Sequence, residues 1–454
     1  MAPSFKYRFV VSLLGGLLCF SGYGQEARGL RLLAQWFDDT PPATPRNSRY
    51  NDVWCFVQNG QEYAVIGSSV GTHIIHLPYN NAVQEVGFIP GTAQGAYATH
   101  RDFAYKDGYL YAVGDEEPAT FQVIDVRNLP ISVSLELETT EYFTTAHNIF
   151  HDESSGLLYV SGSSGHAMTI LDAANPANPS FVTHFDLVEY VHDVYVRNSV
   201  AYLNAALHGL WVFDFSSPTN PVLLGNLTEY PQLGYNHSGW LNESGDVYVF
   251  ADETPGKSLK VCDVSSISEI EVLSLLNSGG SSHTTPHNLI IKDNLVYVAY
   301  YFDGLQVFDI RNPQEPIRVA WYRTYSGQEY DYQGAWGVYV GLPSERIIVS
   351  DRQSGLLVFA HANGADVGTS AVQLTNNPGD GMAAVQVFQK NFRKVDVFVS
   401  DASGKVVFTG EFTNNADSFW IPIDLRDMAN GYYFIGVSID DGTLQRLKYL
   451  KLTP

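Results

Sequence analysis

Short apolar segments recur along most of the chain, and polar turns separate them. Each segment is four to six residues long, rich in Val, Ile, Tyr and Phe, and bounded by Gly, Asn or Asp. One example begins at His287, and its three segments are Leu289–Ile291, Leu295–Tyr300 and Leu305–Ile310. Consecutive short strands joined by tight turns are typical of a β-meander.

This pattern occurs seven times, and the first segment of each copy opens on a polar or aromatic residue. Successive opening residues are 45 to 50 positions apart. They are Asn51, His100, His147, His192, His237, His287 and Trp336. Four strands in a repeat of about 40–50 residues is the period of a propeller blade. We therefore predict an all-β fold in which a seven-bladed β-propeller is followed by a small C-terminal β-sandwich.

The first and last copies carry the information on how the ring closes. The last copy ends near Ala360 without a fourth strand, whereas Leu30 to Phe37 resembles the fourth strands of the other copies. We predict that residues 25–40 supply the closing strand of the last blade, which would leave no long sheet edge exposed.

The remaining boundaries follow from composition. The predicted propeller covers residues 25–361. Residues 362–371 are small and polar and are predicted to be a linker. Residues 372–454 lose the repeat but keep short apolar segments, which predicts the separate β-sandwich.

The N-terminus has the features of a secretory signal peptide. Lys6 and Arg8 precede an apolar run from Phe9 to Phe20, which is too short to span a bilayer securely, and small residues flank Tyr23. We expect residues 1–24 to be removed. No other segment is long and apolar enough to cross a membrane, so we predict no membrane span in the mature chain. The net charge of −22 argues against nucleic acid as a partner.

Five of the seven opening residues are histidines, namely His100, His147, His192, His237 and His287. The first strand of a propeller blade is usually the innermost, so equivalent positions face one level of the central channel. We expect these imidazoles to converge there, and neutral imidazole is a good ligand for zinc, copper or iron. The same positions also suit structural hydrogen bonds between blades. The pattern is therefore compatible with a divalent metal cofactor but does not require one.

Acidic residues near the ends of second strands form another candidate group. They occur in Asp115-Glu116-Glu117, Asp252-Glu253 and Asp351-Arg352, and Arg101-Asp102 joins them from a first strand. We expect Asp102, Asp115, Asp252 and Asp351 to line the channel mouth. Carboxylates there would suit calcium or magnesium, or acid–base catalysis. Solvated loop acids are the competing interpretation in such an acidic chain, and no motif marks a catalytic nucleophile.

The repeat resembles a known one. L-x-V-x-D followed by a Pro-containing turn occurs at Leu210–Asp214, Leu259–Asp263 and Leu305–Asp309 and resembles the LVIVD repeat. With stretches such as Y-N-D-V-W, A-H-N-I-F and Y-F-D-G-L-Q-V-F-D, residues 30–360 resemble the choice-of-anchor B family. The resemblance implies a bacterial exported protein and brings no established biochemical activity.

The tail resembles the C-terminal sorting domain of the type IX secretion system. The resemblance is carried by Asn377-Pro378, Val395–Phe398, Asp401–Val407 and Met428–Phe434. At its start the usual Tyr-Pro-Asn-Pro is replaced by Thr375-Asn376-Asn377-Pro378. The resemblance implies that the type IX machinery is a partner through residues 372–454. It also implies a product that is secreted, or attached to the surface of a Gram-negative bacterium.

Two hypotheses for function follow. The first is an exported or cell-surface binding module whose propeller recognises a glycan, a peptide or an envelope protein. The alternative is a metal-dependent extracellular enzyme with a His-lined axial site. Five histidines exceed what one metal ion needs, which favours structural hydrogen bonding by these residues over metal binding. We favour the binding module over the enzyme.

Overall fold

The computed structural model describes residues 27–327, 332–362, 372–375, 381–387, 394–413, 419–440 and 445–451. The predicted signal peptide and nearly all of the predicted linker lie outside these residues. Within them, one short 3₁₀ helix (Ile267–Glu269) accompanies 36 β-strands, which confirms the all-β fold. No helix in this part of the chain has the length and apolar character needed to cross a membrane.

Five antiparallel sheets are each built from four consecutive strands. The first sheet contains β3 (Tyr50–Gln58), β4 (Gln61–Ser68), β5 (Gly71–His76) and β6 (Gln84–Pro90), and the second contains β7 (Arg101–Lys106), β8 (Tyr109–Gly114), β9 (Phe121–Asp125) and β10 (Ser134–Thr139). The third contains β11 (Asn148–Asp152), β12 (Leu157–Ser161), β13 (Met168–Asp172) and β14 (Ser180–Phe185). The fourth contains β15 (Asp193–Arg197), β16 (Val200–Asn204), β17 (Leu210–Asp214) and β18 (Val222–Leu227), and the fifth contains β19 (Asn236–Leu241), β20 (Val247–Asp252), β21 (Leu259–Asp263) and β22 (Glu271–Leu276).

Two further sheets combine consecutive strands with the N-terminal segment. The sixth contains β23 (Leu289–Lys292), β24 (Leu295–Ala299), β25 (Leu305–Asp309), β26 (Ile317–Tyr322) and the short β1 (Ala27–Arg28). The seventh contains β27 (Ala335–Tyr339), β28 (Ile347–Asp351), β29 (Gly355–His361) and β2 (Leu30–Trp36).

The N-terminal segment therefore pairs with two sheets. β2 lies antiparallel to β29, with Leu30 opposite His361. β1 extends the sixth sheet by pairing with β26. Gly29 makes the switch between them with a φ of 66°, and a Cβ atom there would lie 2.9 Å from the Cβ of Ala320. The sequence pattern did not predict β1.

The innermost strands form a closed circuit. β3, β7, β11, β15, β19, β23 and β27 each contact the next one, and β27 contacts β3 again. A buried apolar cluster fills the space between each neighbouring pair of sheets. The residues that open these strands therefore surround one axis.

A buried ion pair joins the seventh sheet to the first. Arg346 Nη2 lies 2.6 Å from Glu62 Oε2, and the two side chains are 5% and 4% exposed. Ser344 donates to the same carboxylate through its hydroxyl, at 2.7 Å. Arg346 also donates to the carbonyl of Pro78 at 3.0 Å. The junction between the seventh and first sheets therefore contains a buried ion pair in addition to its apolar cluster.

The C-terminal residues form two sheets. One contains β30 (Val372–Thr375), β31 (Met382–Val387) and β34 (Phe419–Asp424). The other contains β32 (Val395–Asp401), β33 (Val406–Phe412), β35 (Gly431–Ile439) and β36 (Gln445–Lys451). One apolar core includes Val385 and Ile421 from the first sheet and Val397 and Ile435 from the second.

Candidate functional site

The five predicted histidines meet on the axis. Neighbouring ring centroids lie 5.6 Å apart for His100 and His147, 3.9 Å for His147 and His192, 4.5 Å for His192 and His237, and 4.2 Å for His237 and His287. Each of these residues lies within two positions of the start of an innermost strand, so the circuit of strands brings them to one level. We call the five histidines the histidine hub.

Trp336 closes the circle of rings. Its ring centroid lies 4.3 Å from that of His287 and 5.3 Å from that of His100. Asn51 was expected to share this circle and does not separate these two rings. Its side chain is buried at Gly67, where a Cβ atom would lie 1.8 Å from Asn51 Oδ1.

In each of three hub imidazoles, Nδ1 is hydrogen-bonded to an oxygen atom. His100 Nδ1 lies 2.6 Å from Glu116 Oε1, and His147 Nδ1 lies 3.0 Å from Asp115 Oδ2. His287 Nδ1 lies 2.6 Å from the carbonyl oxygen of Trp336. In a neutral ring, a carbonyl or carboxylate that accepts from Nδ1–H leaves the Nε2 lone pair free, which is the usual arrangement behind metal-binding histidines.

The other two hub imidazoles have buried nitrogens without a partner. Within the described residues, His192 Nε2 and His237 Nδ1 lack a hydrogen bond, and these residues are 6% and 3% exposed. Burial, together with the neighbouring imidazoles, lowers the pKa of both well below the ordinary value. Burial likewise lowers the pKa of His287. These three rings are therefore neutral at neutral pH and have lone pairs to offer.

Glu253 is the carboxylate that reaches the hub. Its oxygens lie 3.8 Å from His237 Nε2 and 3.9 Å from His287 Nε2, and the Tyr301 hydroxyl donates to it. Burial raises the pKa of Glu253. The sequence analysis noted Asp252-Glu253 at the end of a predicted second strand. Position at a strand end does not decide which of two adjacent acids faces the axis.

Two overlapping donor sets result. His147, His192 and His237 each offer a ligand atom within 4.8 Å of the other two. His237, Glu253 and His287 do the same. Imidazole with a carboxylate is the donor chemistry of zinc, copper and non-haem iron sites.

Two of the four predicted channel-mouth acids lie elsewhere. Asp252 is fully buried 2.5 Å from Lys260 Nζ and accepts from the Tyr230 hydroxyl at 3.0 Å. Asp351 is also fully buried and accepts from the backbone N–H groups of Gln353 and Ser354 at 3.0 and 2.8 Å. The prediction is wrong for both, because Lys260 and Tyr230 hold the Asp252 carboxylate inside its sheet and the turn after β28 holds that of Asp351. Asp115 does reach the hub, as the partner of His147.

Asp102 belongs to a second ring next to the hub. We call Asp52, Asp102, Asn148, Asp193 and Asn288 the acid ring. Asn148 Nδ2 donates to Asp102 Oδ2 at 2.5 Å, and Asn288 Nδ2 donates to Asp52 Oδ1 at 3.1 Å. Burial raises the pKa of Asp52 to about 6 and that of Asp193 to about 7.

The residues of the acid ring lie next to the opening residues in the sequence. Asp52, Asn148, Asp193 and Asn288 each come one position after an opening residue. In the second copy an extra residue, Arg101, separates His100 from Asp102, and its Nε donates to the Ser68 carbonyl at 3.0 Å. Sequence reasoning identified only Asp102 of this ring. A cavity of about 20 Å³ is lined by residues of both the hub and the acid ring, which is room for one ion or water.

Comparison with known families assigns two parts of the chain. Residues 190–229 and 286–324 match the LVIVD repeat. Residues 377–448 match the secretion system C-terminal sorting domain. Both resemblances are thereby confirmed for these segments, and the sorting domain identifies an exported protein. A search of curated proteins gives no match.

Solved structures support the propeller-like fold. A protein from Lactobacillus plantarum, determined by the Northeast Structural Genomics Consortium, is 10% identical with a TM-score of 0.52, over 82% of this chain and 99% of that one. The WD40 repeats of RRP9 are 9% identical with a TM-score of 0.52, over 74% of this chain and 100% of that one. At these identities the likeness concerns the fold alone.

Proposed function

We propose that this protein is an exported β-propeller that binds one divalent transition-metal ion at the histidine hub. The observation that carries the proposal is the pair of buried nitrogens without a hydrogen-bond partner in the described part of the chain, on His192 and His237, whose ring centroids lie 4.5 Å apart. Zinc, copper or iron would satisfy both, with His147 as the third imidazole of the same donor set.

A purely structural role accounts less well for the hub. Histidines kept for hydrogen bonding between blades would have partners on both ring nitrogens, since an unsatisfied buried polar group costs about 1–3 kcal/mol. His287 fits such a role through the Trp336 carbonyl. His192 Nε2 and His237 Nδ1 do not, and a metal ion is the ligand that neutral nitrogen lone pairs attract.

Metal content is the decisive measurement. We expect the purified mature protein, after loading with zinc at neutral pH and gel filtration, to retain about one equivalent by elemental analysis. The variant His192→Ala/His237→Ala should retain less than about a tenth of that. His208→Ala removes a histidine whose side chain is 45% exposed and should leave the metal content unchanged.

Two results would contradict this proposal. One is wild-type protein that retains no zinc, copper or iron. The other is a double variant that folds, as judged by its near-ultraviolet circular dichroism, and still binds a full equivalent. The second result would return the hub to a structural role.

The C-terminal sorting domain is proposed to direct the propeller out of a Gram-negative cell through the type IX machinery. Its function then concerns the cell surface or the medium. A chain ending at Ala371 should appear in the medium or at the surface at less than about a tenth of the full-length amount, and accumulate in the periplasm. Fractionation followed by immunoblotting measures this, and unchanged secretion of the shortened chain would defeat the assignment.

A further inference from the structure

A large aromatic cavity lies further along the innermost strands than the hub. Its volume is about 570 Å³, and its walls include Trp54, Phe150, Tyr195, Trp240 and Tyr339. The ring centroids of Trp54 and Tyr339 are 4.9 Å apart, and those of Tyr195 and Trp240 are 4.6 Å apart. Each aromatic residue stands three positions after an opening residue, so the wall lies roughly 10 Å from the hub at about 3.3 Å per strand residue.

The acid ring forms the floor of a smaller cavity on the hub side, which shares the aromatic wall with the larger one. Residues two apart on a strand share a face, which places Asp52 with Trp54 on β3 and Asp193 with Tyr195 on β15. This smaller cavity of about 60 Å³ is lined by Asp52, Asp102 and Asp193 together with Trp54, Phe150, Tyr195 and Trp240. Carboxylates and aromatic faces thus surround one space.

Two copies place a carboxylate and an aromatic residue on one strand, Asp52 with Trp54 and Asp193 with Tyr195, and the other copies have related residues at the same two positions. Each innermost strand has the order small or polar, any residue, then a wall residue. The seven triplets are Asp52-Val53-Trp54, Asp102-Phe103-Ala104, Asn148-Ile149-Phe150, Asp193-Val194-Tyr195, Ser238-Gly239-Trp240, Asn288-Leu289-Ile290 and Gly337-Val338-Tyr339. Five of the seven wall residues are aromatic.

The chemistry of this space favours a positive charge. Aromatic faces attract cations through the ring quadrupole, and carboxylates attract them directly. The lining of the smaller cavity includes no Lys or Arg among the described residues. Arg197, at the wall of the larger cavity, donates from Nη1 to the Asn242 carbonyl at 2.8 Å. Asn288 Oδ1 is a buried acceptor without a hydrogen-bond partner in the described part of the chain.

We propose that these two adjoining cavities bind a small organic ammonium ion, with its charged head in the smaller one over the acid ring and its alkyl groups against the shared aromatic wall. The volume of the larger cavity is within the range of about 300–1,000 Å³ that small-molecule sites occupy. A bare metal ion would leave the aromatic wall unused, and a neutral sugar would bring no charge to stabilise the ionised form of the carboxyl groups. The site adjoins the histidine hub, since both line the cavity of about 20 Å³, but it uses no hub imidazole.

Choline and its neutral isostere 3,3-dimethyl-1-butanol provide a matched pair of probes. They differ in charge but hardly in shape. We expect intact mature protein, treated with EDTA, to bind choline in isothermal titration calorimetry at least ten times more tightly than the isostere. Quenching of tryptophan fluorescence by choline should follow the same saturation curve, because Trp54 and Trp240 form part of the wall.

Variants separate the roles of the floor and the wall. Asp193→Asn and Trp240→Ala should each weaken choline binding at least tenfold. The control Asp214→Asn alters an acid in the same sheet that caps the backbone N–H of Ser216, and Trp321→Ala removes a ring that contacts Arg318. Both controls should bind choline as the wild type does. Should Trp240→Ala fail to fold, Trp54→Leu replaces it.

Several outcomes would overturn the proposal. Equal binding of choline and the isostere, or unaltered choline binding by Asp193→Asn, would show a merely apolar cavity. A neutral disaccharide such as cellobiose binding more tightly than choline would make it a glycan site. No choline binding at any accessible concentration would also refute it. Failure of the metal proposal leaves all of these outcomes unchanged, because the titrations use EDTA-treated protein.

Discussion

A chain that starts at Asp38, and so lacks β1 and β2, is expected to lose cooperative folding of the ring. Without β2, the seventh sheet ends at β29 and exposes an unpaired edge together with apolar side chains that β2 covers. Leu30 is 6% exposed, and Trp36 packs on the cluster between the seventh and first sheets. At about 1.5–3 kcal/mol for each buried large side chain, the loss is about 5 kcal/mol or more, comparable with the stability of a whole domain.

Urea denaturation followed by near-ultraviolet circular dichroism measures this effect. The matched control is a chain that starts at Leu30 and lacks only β1, whose two residues are exposed. It should differ from the chain starting at Gln25 by less than about 1 kcal/mol. A chain starting at Asp38 with the same urea midpoint as the longer chains would show that β2 does not hold the ring closed.

Arg346→Met is expected to destabilise the protein by about 3–5 kcal/mol. The substitution leaves the Glu62 carboxylate buried at 4% exposure without its charged partner, which is the costly way to break a buried ion pair. The double variant Glu62→Gln/Arg346→Met removes both charges and should recover most of the loss. Thermal or urea unfolding of the three proteins measures the difference.

The exposed pair of Arg311 and Asp309 provides the control. Arg311 is 77% exposed, so Arg311→Met should change the free energy of unfolding by less than about 1 kcal/mol. If Arg346→Met were as mild as this control, the ion pair at the junction would add nothing to closure. If the double variant were no better than Arg346→Met, lost packing rather than an unpaired charge would be the cause.

Repetition explains why the fold and the hub were predictable. One copy of the pattern is ambiguous, but seven equivalent positions place the same residue type at one level of an axis. The closing strand was predictable because Leu30 to Phe37 resembles the outer strands of other copies. β1 was not, since its two exposed residues carry no apolar pattern.

The acids show where sequence reasoning stopped. Asp252 and Glu253 are neighbours at the end of β20, and adjacent residues there point in different directions. Asp252 pairs with Lys260 inside the sheet, whereas Glu253 approaches His237. The local sequence does not show which of the two acids turns inward, because Asp252 does so to pair with Lys260, eight positions further along the chain. The acid ring was overlooked because polar residues next to a histidine resemble a turn.

The pairing of β2 with β29 also has a consequence for the order of events during synthesis. Leu30 emerges from the ribosome early, yet its partner His361 emerges about 330 residues later, and such non-local contacts form late. The ring therefore stays unfinished until almost the whole propeller has been made. A chain whose ring closes late stays unfolded for longer during synthesis. This suits a protein that has to cross a membrane before it folds.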